Sequence, residues 1–297
     1  KRASGADYLY EGTKRVAWER SPHKSSGWAA PPKFLIIHYT AAGGYTGSVN
    51  WFKNPGSKVS AHLTIGRDGT VVQSVPFDDR AWHAGTSAWV GDDGTRYNRM
   101  NNYAIGIELA NAGVCRPTAA GTWKNALGVK VAPEDIMEAR HKNGAAWYSG
   151  AVGSIAEPGW ETYPTEQVFA CLQVAIALVD HYGLEDVLGH DDVSPGRKWD
   201  PGPLFNMDQF RNSVFGRGDA DEIAWVVRDS ATDGLAIRQG AGKAHAKVMD
   251  NLAPGTRVEF NESEGRWWFV TVLDGSDNEV GDGWVYSKYL KRVRIPA

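Results

Sequence analysis

The run KFLIIHY, Lys33–Tyr39, is apolar without a break until His38, and Pro31-Pro32 and TAAGG bound it. A short continuous apolar run between turn signals predicts a strand buried on both faces, with His38 near its C-terminal end. SAHLTIGRDGTVVQSVP, Ser60–Pro76, predicts two strands around an Arg67-Asp68-Gly69 turn. NYAIGIELANAG, Asn102–Gly113, alternates, so Ile105, Ile107 and Leu109 share one face while Gly106, Glu108 and Ala110 share the other. Further on, Val168, Phe169, Leu172, Ala175, Ile176 and Val179 recur at helical spacing. Thr165 is placed to cap that helix and Gly183 to stop it. LEDVLGH then predicts a short strand or connector that delivers His190.

Other stretches have weaker patterns. Residues 1–30 are polar and predict an arm or irregular cover. Residues 114–162 hold Gly, Pro and Trp with little periodicity and predict a long insertion, with a short helix over PEDIMEARH, Pro133–His141. Strands interspersed with helices give an α/β or α+β domain over 31–215, a mixed central sheet flanked by helices. FGRGDADE, Phe215–Glu222, has the composition of a linker, placed at 216–220. Beyond it LAIRQG, TRVEFNE, RWWFVTVLD and DGWVYSKYL alternate with Gly/Asp/Asn turns and no helical pattern. Residues 221–297 therefore predict a second, small all-β barrel.

Composition excludes some classes. A net charge of −3 and no basic run longer than KRVR, Lys291–Arg294, argue against nucleic acid as a partner. No apolar run approaches the roughly 20 residues of a membrane span. No signal-peptide pattern follows Lys1. Cys115 and Cys171 make no disulfide framework, and whether they pair is open. The oligomeric state is open as well.

GHDDVSPGRKWDPGPLF, Gly189–Phe205, gathers His, Asp, Lys and Arg among prolines and glycines. A hydrolytic zinc needs three protein ligands and one open position for water, and His and carboxylate both suit it. His190 and Asp200 lie ten residues apart across a loop stiffened by Pro195, Pro201 and Pro203. His38, at the end of a central strand, is the best-placed third ligand. His62 and His83 sit in similar strand-end or Gly-rich contexts, whereas His23, His141, His181 and His245 read as surface or structural.

HYT after a buried strand, VSAHLTIGRDGTVVQSVPFDDRAWHAG, NNYAIGIELANAG and GHDDVSPGRKWDPGPLF, in that order over about 33–210, resemble the zinc-dependent N-acetylmuramoyl-L-alanine amidases. The closer resemblance is to the amidase_2 or AmpD-like branch, whose fold is shared with T7-type lysozyme and peptidoglycan recognition proteins. It implies one zinc on His38, His190 and Asp200. It also implies an essential glutamate at Glu108 and an oxyanion-stabilising lysine at Lys198. T7-like members carry a catalytic Tyr just before the His that matches His62; Ala61 stands there in this chain, so the load should fall on Glu108. Trp82 and His83 should line the substrate groove or orient neighbours, with Tyr39 and Asn111 beside them. His62 should do the same or belong to the core. The C-terminal module is similar to bacterial SH3-like domains through LAIRQGAG and GRWWFVTV…GDGWVYSKYL.

The function so implied is hydrolysis of the amide between N-acetylmuramic acid and L-alanine in bacterial peptidoglycan or its muropeptides. The alternative is a peptidoglycan-recognition protein that binds without cutting. A wall substrate and an SH3-like module place the expected work outside the cytoplasm, secreted or periplasmic, or in a phage or prophage lysin.

Overall fold

The two apolar runs that straddle the sequence from Lys33 to Gly113 become the centre of one sheet. In the computed structural model, which describes residues 2–3, 8–144, 158–216, 222–264, 266–276 and 278–295, the chain divides into two compact units, 1–217 and 218–297. The expected linker at 216–220 lies outside the described residues apart from Gly216, which closes the preceding helix with a left-handed φ of 58°.

The strands of the main sheet are β1 (Ala17–Trp18), β2 (Phe34–Tyr39), β3 (Leu63–Ile65), β4 (Val71–Gln73), β5 (Ala104–Leu109) and β6 (Asp186–Gly189), and their order across the sheet is β6-β2-β5-β3-β4-β1. Strands β6, β2, β5 and β3 run parallel, whereas β3 and β4 are the antiparallel hairpin. The sheet is therefore mixed, as the pattern of runs implied. The helices among the described residues are α1 (Tyr45–Lys53), α2 (Thr165–Tyr182), α3 (His190–Val193) and α4 (Met207–Phe215). None of the described helices is long and apolar enough to cross a membrane.

The alternation in β2 and β5 sorts their side chains onto two faces. Leu35, Ile37, Ile105, Ile107 and Leu109 join a core beneath α2 and α4. Phe34, Ile36 and Ala104 face a second apolar layer with Met100, Tyr97, Leu188 and Val193. His38 and Glu108 continue this second face toward the C-terminal strand ends, where they stand in register on neighbouring strands. Gly189 pairs with Ile37, so His190 emerges beside His38 at the same level.

Several expectations need correction. Helix α2 buries Gln167, Ala170, Cys171, Val174, Ala175 and Leu178, so its buried face is turned partly away from the expected one: Ala175 is common to both, Val168, Leu172 and Val179 pack half-buried against the same core, and Phe169 is 56% exposed. Gln167 is the reason: its amide donates to the carbonyls of Ile65 and Ala110, where β3 and β5 end, and that anchors the polar side chain inward. Thr165 begins the helix rather than capping it, whereas Gly183 does end it in the left-handed conformation. Pro133–His141 is no helix. A single 3-10 turn over Pro133–Asp135 leads into a strand, Ile136–Glu138, which pairs with Gly159–Glu161. The described part of the insertion is a five-stranded antiparallel sheet that also includes Val114–Pro117, Trp123–Lys124 and Lys130–Val131; residues 145–157 lie outside the described residues. The polar N-terminal stretch contributes Leu9 to the core and β1 to the sheet edge, held by Leu9 N donating to Gln73 Oε1. Both cysteines are buried free thiols.

The second unit is all-β. Glu222–Val227, Arg257–Glu264, Trp267–Leu273, Glu279–Tyr286 and Leu290–Ile295 form one antiparallel sheet over a core that includes Leu235, Ile237, Val270 and Val285. LAIRQG, expected as a strand, makes only isolated bridges, Leu235 to Leu252 and Arg238 to Lys247 and Trp284.

The helix faces can be told apart by stability. Leu178→Ala should lower the unfolding free energy by about 2–5 kcal/mol through the cavity it leaves, whereas Phe169→Ala should change it by no more than about 0.5 kcal/mol. Denaturant unfolding of the two variants measures the difference.

Candidate metal centre

The C-terminal ends of three adjacent parallel strands meet at one point. His38 is the penultimate residue of β2, Glu108 that of β5, and β6 passes directly into α3 at His190. The loop after α3 returns Asp200 to the same place, with Asp191 N donating to Asp200 O at 2.9 Å. Gly189 permits this return. A Cβ there would lie 2.3 Å from Asp191 Oδ1 and 3.0 Å from Pro201 Cδ.

His38, His190 and Asp200 are all buried. The two Nδ1 atoms lie 2.8 Å apart, and Asp200 Oδ2 is 3.1 Å from His38 Nδ1 and 2.9 Å from His190 Nδ1. Among the described residues, these three are the group of His, Cys, Asp and Glu side chains whose ligand atoms converge as a metal would require. Burial, followed by the charge of His190, lowers the His38 imidazole to about 4. Burial alone would raise the Asp200 carboxyl, but the charge and hydrogen bonds of His190 and His38 outweigh it and hold the group well below the usual carboxylate range. A neutral imidazole and an ionised carboxylate are the ligand forms that a divalent ion takes.

The far side of each ring fixes where its proton sits. His190 Nε2 donates to the carbonyl of Ala84 at 3.2 Å, and Arg197 donates to the same carbonyl at 2.8 Å. Arg197 also donates to Thr86 O and Ser194 Oγ at 2.8 Å, which ties the ligand loop to the WHAG segment. His38 Nε2 faces His83 Nδ1 at 2.9 Å. With Nε2 carrying its proton, His190 turns a lone pair toward Asp200, and His38 does the same in the tautomer that has its proton on Nε2. Three acceptors then face one another, and only a proton or a cation can sit among them. Two imidazole nitrogens and one carboxylate oxygen suit zinc, and three protein ligands are the number that a hydrolytic zinc takes.

Glu108 stands beside the three. Its Oε2 is buried and has no hydrogen-bond partner. Burial, reinforced by the Asp200 charge, pushes its carboxyl well above the ordinary range, and the Lys198 charge works the other way. An unpartnered buried carboxylate oxygen is costly and is retained where it serves a purpose. Lys198 is half-buried, and its charge reaches both Glu108 and His38.

The remaining predicted residues divide. Tyr39 is drawn into a cluster with Val114, Trp160 and Trp199, and its ring lies against Gly113, where a Cβ would come within 2.2 Å. Asn111 is buried, donating to the carbonyls of Glu161 and Thr162 and accepting from Gly113 N. His62 is fully buried, with Nδ1 accepting from Gly106 N and Nε2 donating to Asp79 O. Trp82 is half-buried, its indole donating to Ser25 Oγ. Only His83 touches a ligand residue.

His141, taken from sequence as surface or structural, is buried and meets Asp191 at 3.0 Å, while Lys142 reaches Asp191 and Asp192. Arg211 of α4 holds Asp192 from the other side at 2.9 Å. The insertion is thus fastened to the short helix that carries His190. The two consecutive acids after His190 were the available signal; their partners lie 50 and 19 residues away.

Residues 28–203, more than half of the chain, match the family described as N-acetylmuramoyl-L-alanine amidase (Amidase_2). The chain is 34% identical over 156 residues to the 1,6-anhydro-N-acetylmuramyl-L-alanine amidase AmpD of Escherichia coli strain K12, covering 52% of this chain and 57% of that protein. It is 28% identical over 209 residues to the N-acetylmuramoyl-L-alanine amidase AmiD of the same strain, covering 67% and 59%. With the N-acetylmuramoyl-L-alanine amidase A of Achromobacter lyticus it shares 28% identity over 204 residues, covering 68% and 94%. The chain spans little more than half the length of the two Escherichia coli proteins.

An ion bound by the folded chain alone stabilises it by mass action. Zinc at 100 times its dissociation constant should raise the unfolding free energy by about 2.7 kcal/mol. Asp200→Ala should abolish that rise. Thermal unfolding of metal-free protein with and without added zinc measures both.

Proposed function

We propose, on the premise that this chain belongs to the N-acetylmuramoyl-L-alanine amidase family, that it is a zinc-dependent hydrolase of the amide joining N-acetylmuramic acid to L-alanine in peptidoglycan. The observation that carries this reading is the convergence of three lone pairs beside the unpartnered Glu108 Oε2. The names of its relatives, one an anhydro-muramyl-L-alanine amidase and two N-acetylmuramoyl-L-alanine amidases, supply the substrate class.

His38, His190 and Asp200 would hold the zinc, which supplies Lewis-acid polarisation of the scissile carbonyl and activation of a water. Glu108 takes a proton from the attacking water and delivers it to the departing nitrogen. The water oxygen bonds to the lactyl carbonyl carbon and the C–N bond breaks. The products are a lactyl carboxylate and a free amino group on L-alanine. The Lys198 ammonium stabilises the oxyanion that develops on the attacked carbonyl.

The second unit is assigned as an SH3-like module that anchors the chain to the wall. Its partly exposed rings support this: Trp267 and Tyr286 lie 5.5 Å apart, and Tyr286 and Tyr289 6.2 Å apart, giving flat faces for stacking. Tethering raises the local concentration of substrate without changing the site. Intact wall as substrate and a wall-anchoring module would both favour work outside the cytoplasm or in a lysin.

Glu108→Gln should retain zinc and bind muropeptide while losing about 10²–10⁴ in kcat. Lys198→Met should lose about 10²–10³ in kcat. Mass spectrometry of digested sacculi and soluble muropeptides identifies the new termini. Full turnover after complete removal of metal would overturn the reading.

A further inference from the structure

The WHAG segment, Trp82–Gly85, supplies no ligand, yet consecutive residues of it meet both histidine ligands from behind. The His83 side chain faces His38, and the Ala84 carbonyl faces His190. The segment is itself pinned. Asn101 Oδ1 accepts from both His83 N and Ala84 N, at 3.1 and 2.7 Å.

The His83 ring is located by a close approach. It lies against the backbone of β5 at Gly106, where a Cβ would come within 2.5 Å of Cγ and 2.6 Å of Nδ1. Only glycine at that strand position leaves room for the imidazole. Its Nε2 lies 3.1 Å from the carbonyl of Ala104. A carbonyl only accepts, so Nε2 carries the proton. A neutral imidazole has one N–H and one acceptor nitrogen, so with Nε2 donating Nδ1 is the acceptor. The group facing it is His38 Nε2 at 2.9 Å, which must then donate. That leaves the lone pair of His38 on Nδ1, toward His190 and Asp200.

We propose that His83 is a positioning residue for the metal, accepting the Nε2 proton of His38 and so holding that ligand in the tautomer whose Nδ1 lone pair faces the ion seat. The inference rests on the reading of His38, His190 and Asp200 as zinc ligands. Partners of this kind behind a histidine ligand fix its ring orientation and raise its basicity. The relay runs from the Ala104 carbonyl through two imidazoles to the ion, and Gly106 is its spacer.

Three full-length variants separate position from packing. His83→Asn keeps an acceptor near the place of Nδ1, His83→Leu has nearly the same size without one, and His83→Phe keeps a ring without one. Competition with a chromogenic chelator gives each zinc dissociation constant, and thermal unfolding of the metal-free forms reports folding. The Leu and Phe variants should bind zinc about 10–100-fold more weakly than wild type, and Asn should recover most of that loss. Side-chain nitrogen NMR of metal-free wild type should find the His38 proton on Nε2. Wild-type affinity in the Leu variant, or an Asn variant as weak as Leu, overturns the proposal. If the Phe variant does not fold, the Asn and Leu pair decides; if none folds, a His38 proton found on Nδ1 in wild type overturns it. A wild type that binds no zinc would refute the metal reading, and this inference with it.

Discussion

Three lone pairs aimed at one point form an arrangement that a protein cannot hold without a counter-charge. His38 Nδ1, His190 Nδ1 and Asp200 Oδ2 all lie within 3.1 Å of one another in a buried place. Water cannot solvate the carboxylate there, and a buried unpaired anion is expensive. The surrounding architecture serves this one constraint. Parallel strands place two histidines at one height, glycines at 106 and 189 remove side chains that would collide, and behind the two rings stand the Ala84 carbonyl for His190 and, for His38, the His83 ring that the Ala104 carbonyl holds.

The insertion is bound into the same arrangement. His141 and Lys142 engage the acids that follow His190, and Trp160 stacks on His141 at 5.9 Å. Tyr39, next to a ligand, packs with Val114 and Trp160 of the inserted strands. Asn125 donates to the carbonyls of Ala41 and Ala112, so the loop after β2 is also held from this side. The described residues between 114 and 161 touch all three ligand-bearing elements, since Trp160 also packs with Trp199 and Leu204 on either side of Asp200.

Much of the centre was legible because its chemistry is rare in its setting. A histidine ending an apolar run, a glutamate on the polar side of an alternating strand, and His, Lys and Asp in a proline-stiffened loop have few structural uses together. The sheet was legible from β2 and β5 for the same reason: continuous or alternating apolar character has one period. Helix α2 is apolar on more than one side, so its largest side chains marked the flank of the buried face rather than its centre, and Gln167 owes its burial to carbonyls that no local pattern reveals. Pro133–His141 failed because the pairing partner of Ile136–Glu138 comes some twenty residues later. The burial of His141 and the service of His83 depend on partners 50 and 45 residues away. Pairing across such distances leaves no periodic trace.

The parallel arrangement of β6, β2 and β5 has a kinetic consequence. Parallel neighbours need long crossovers, and His38 meets His190 across 152 residues of chain. Contacts of such sequence separation form slowly, because the entropy of closing the loop is lost before any contact rewards it. On the ribosome, His38, Glu108 and the hairpin all emerge well before β6 exists. The ion seat therefore cannot close until β6 has been made and has docked beside β2.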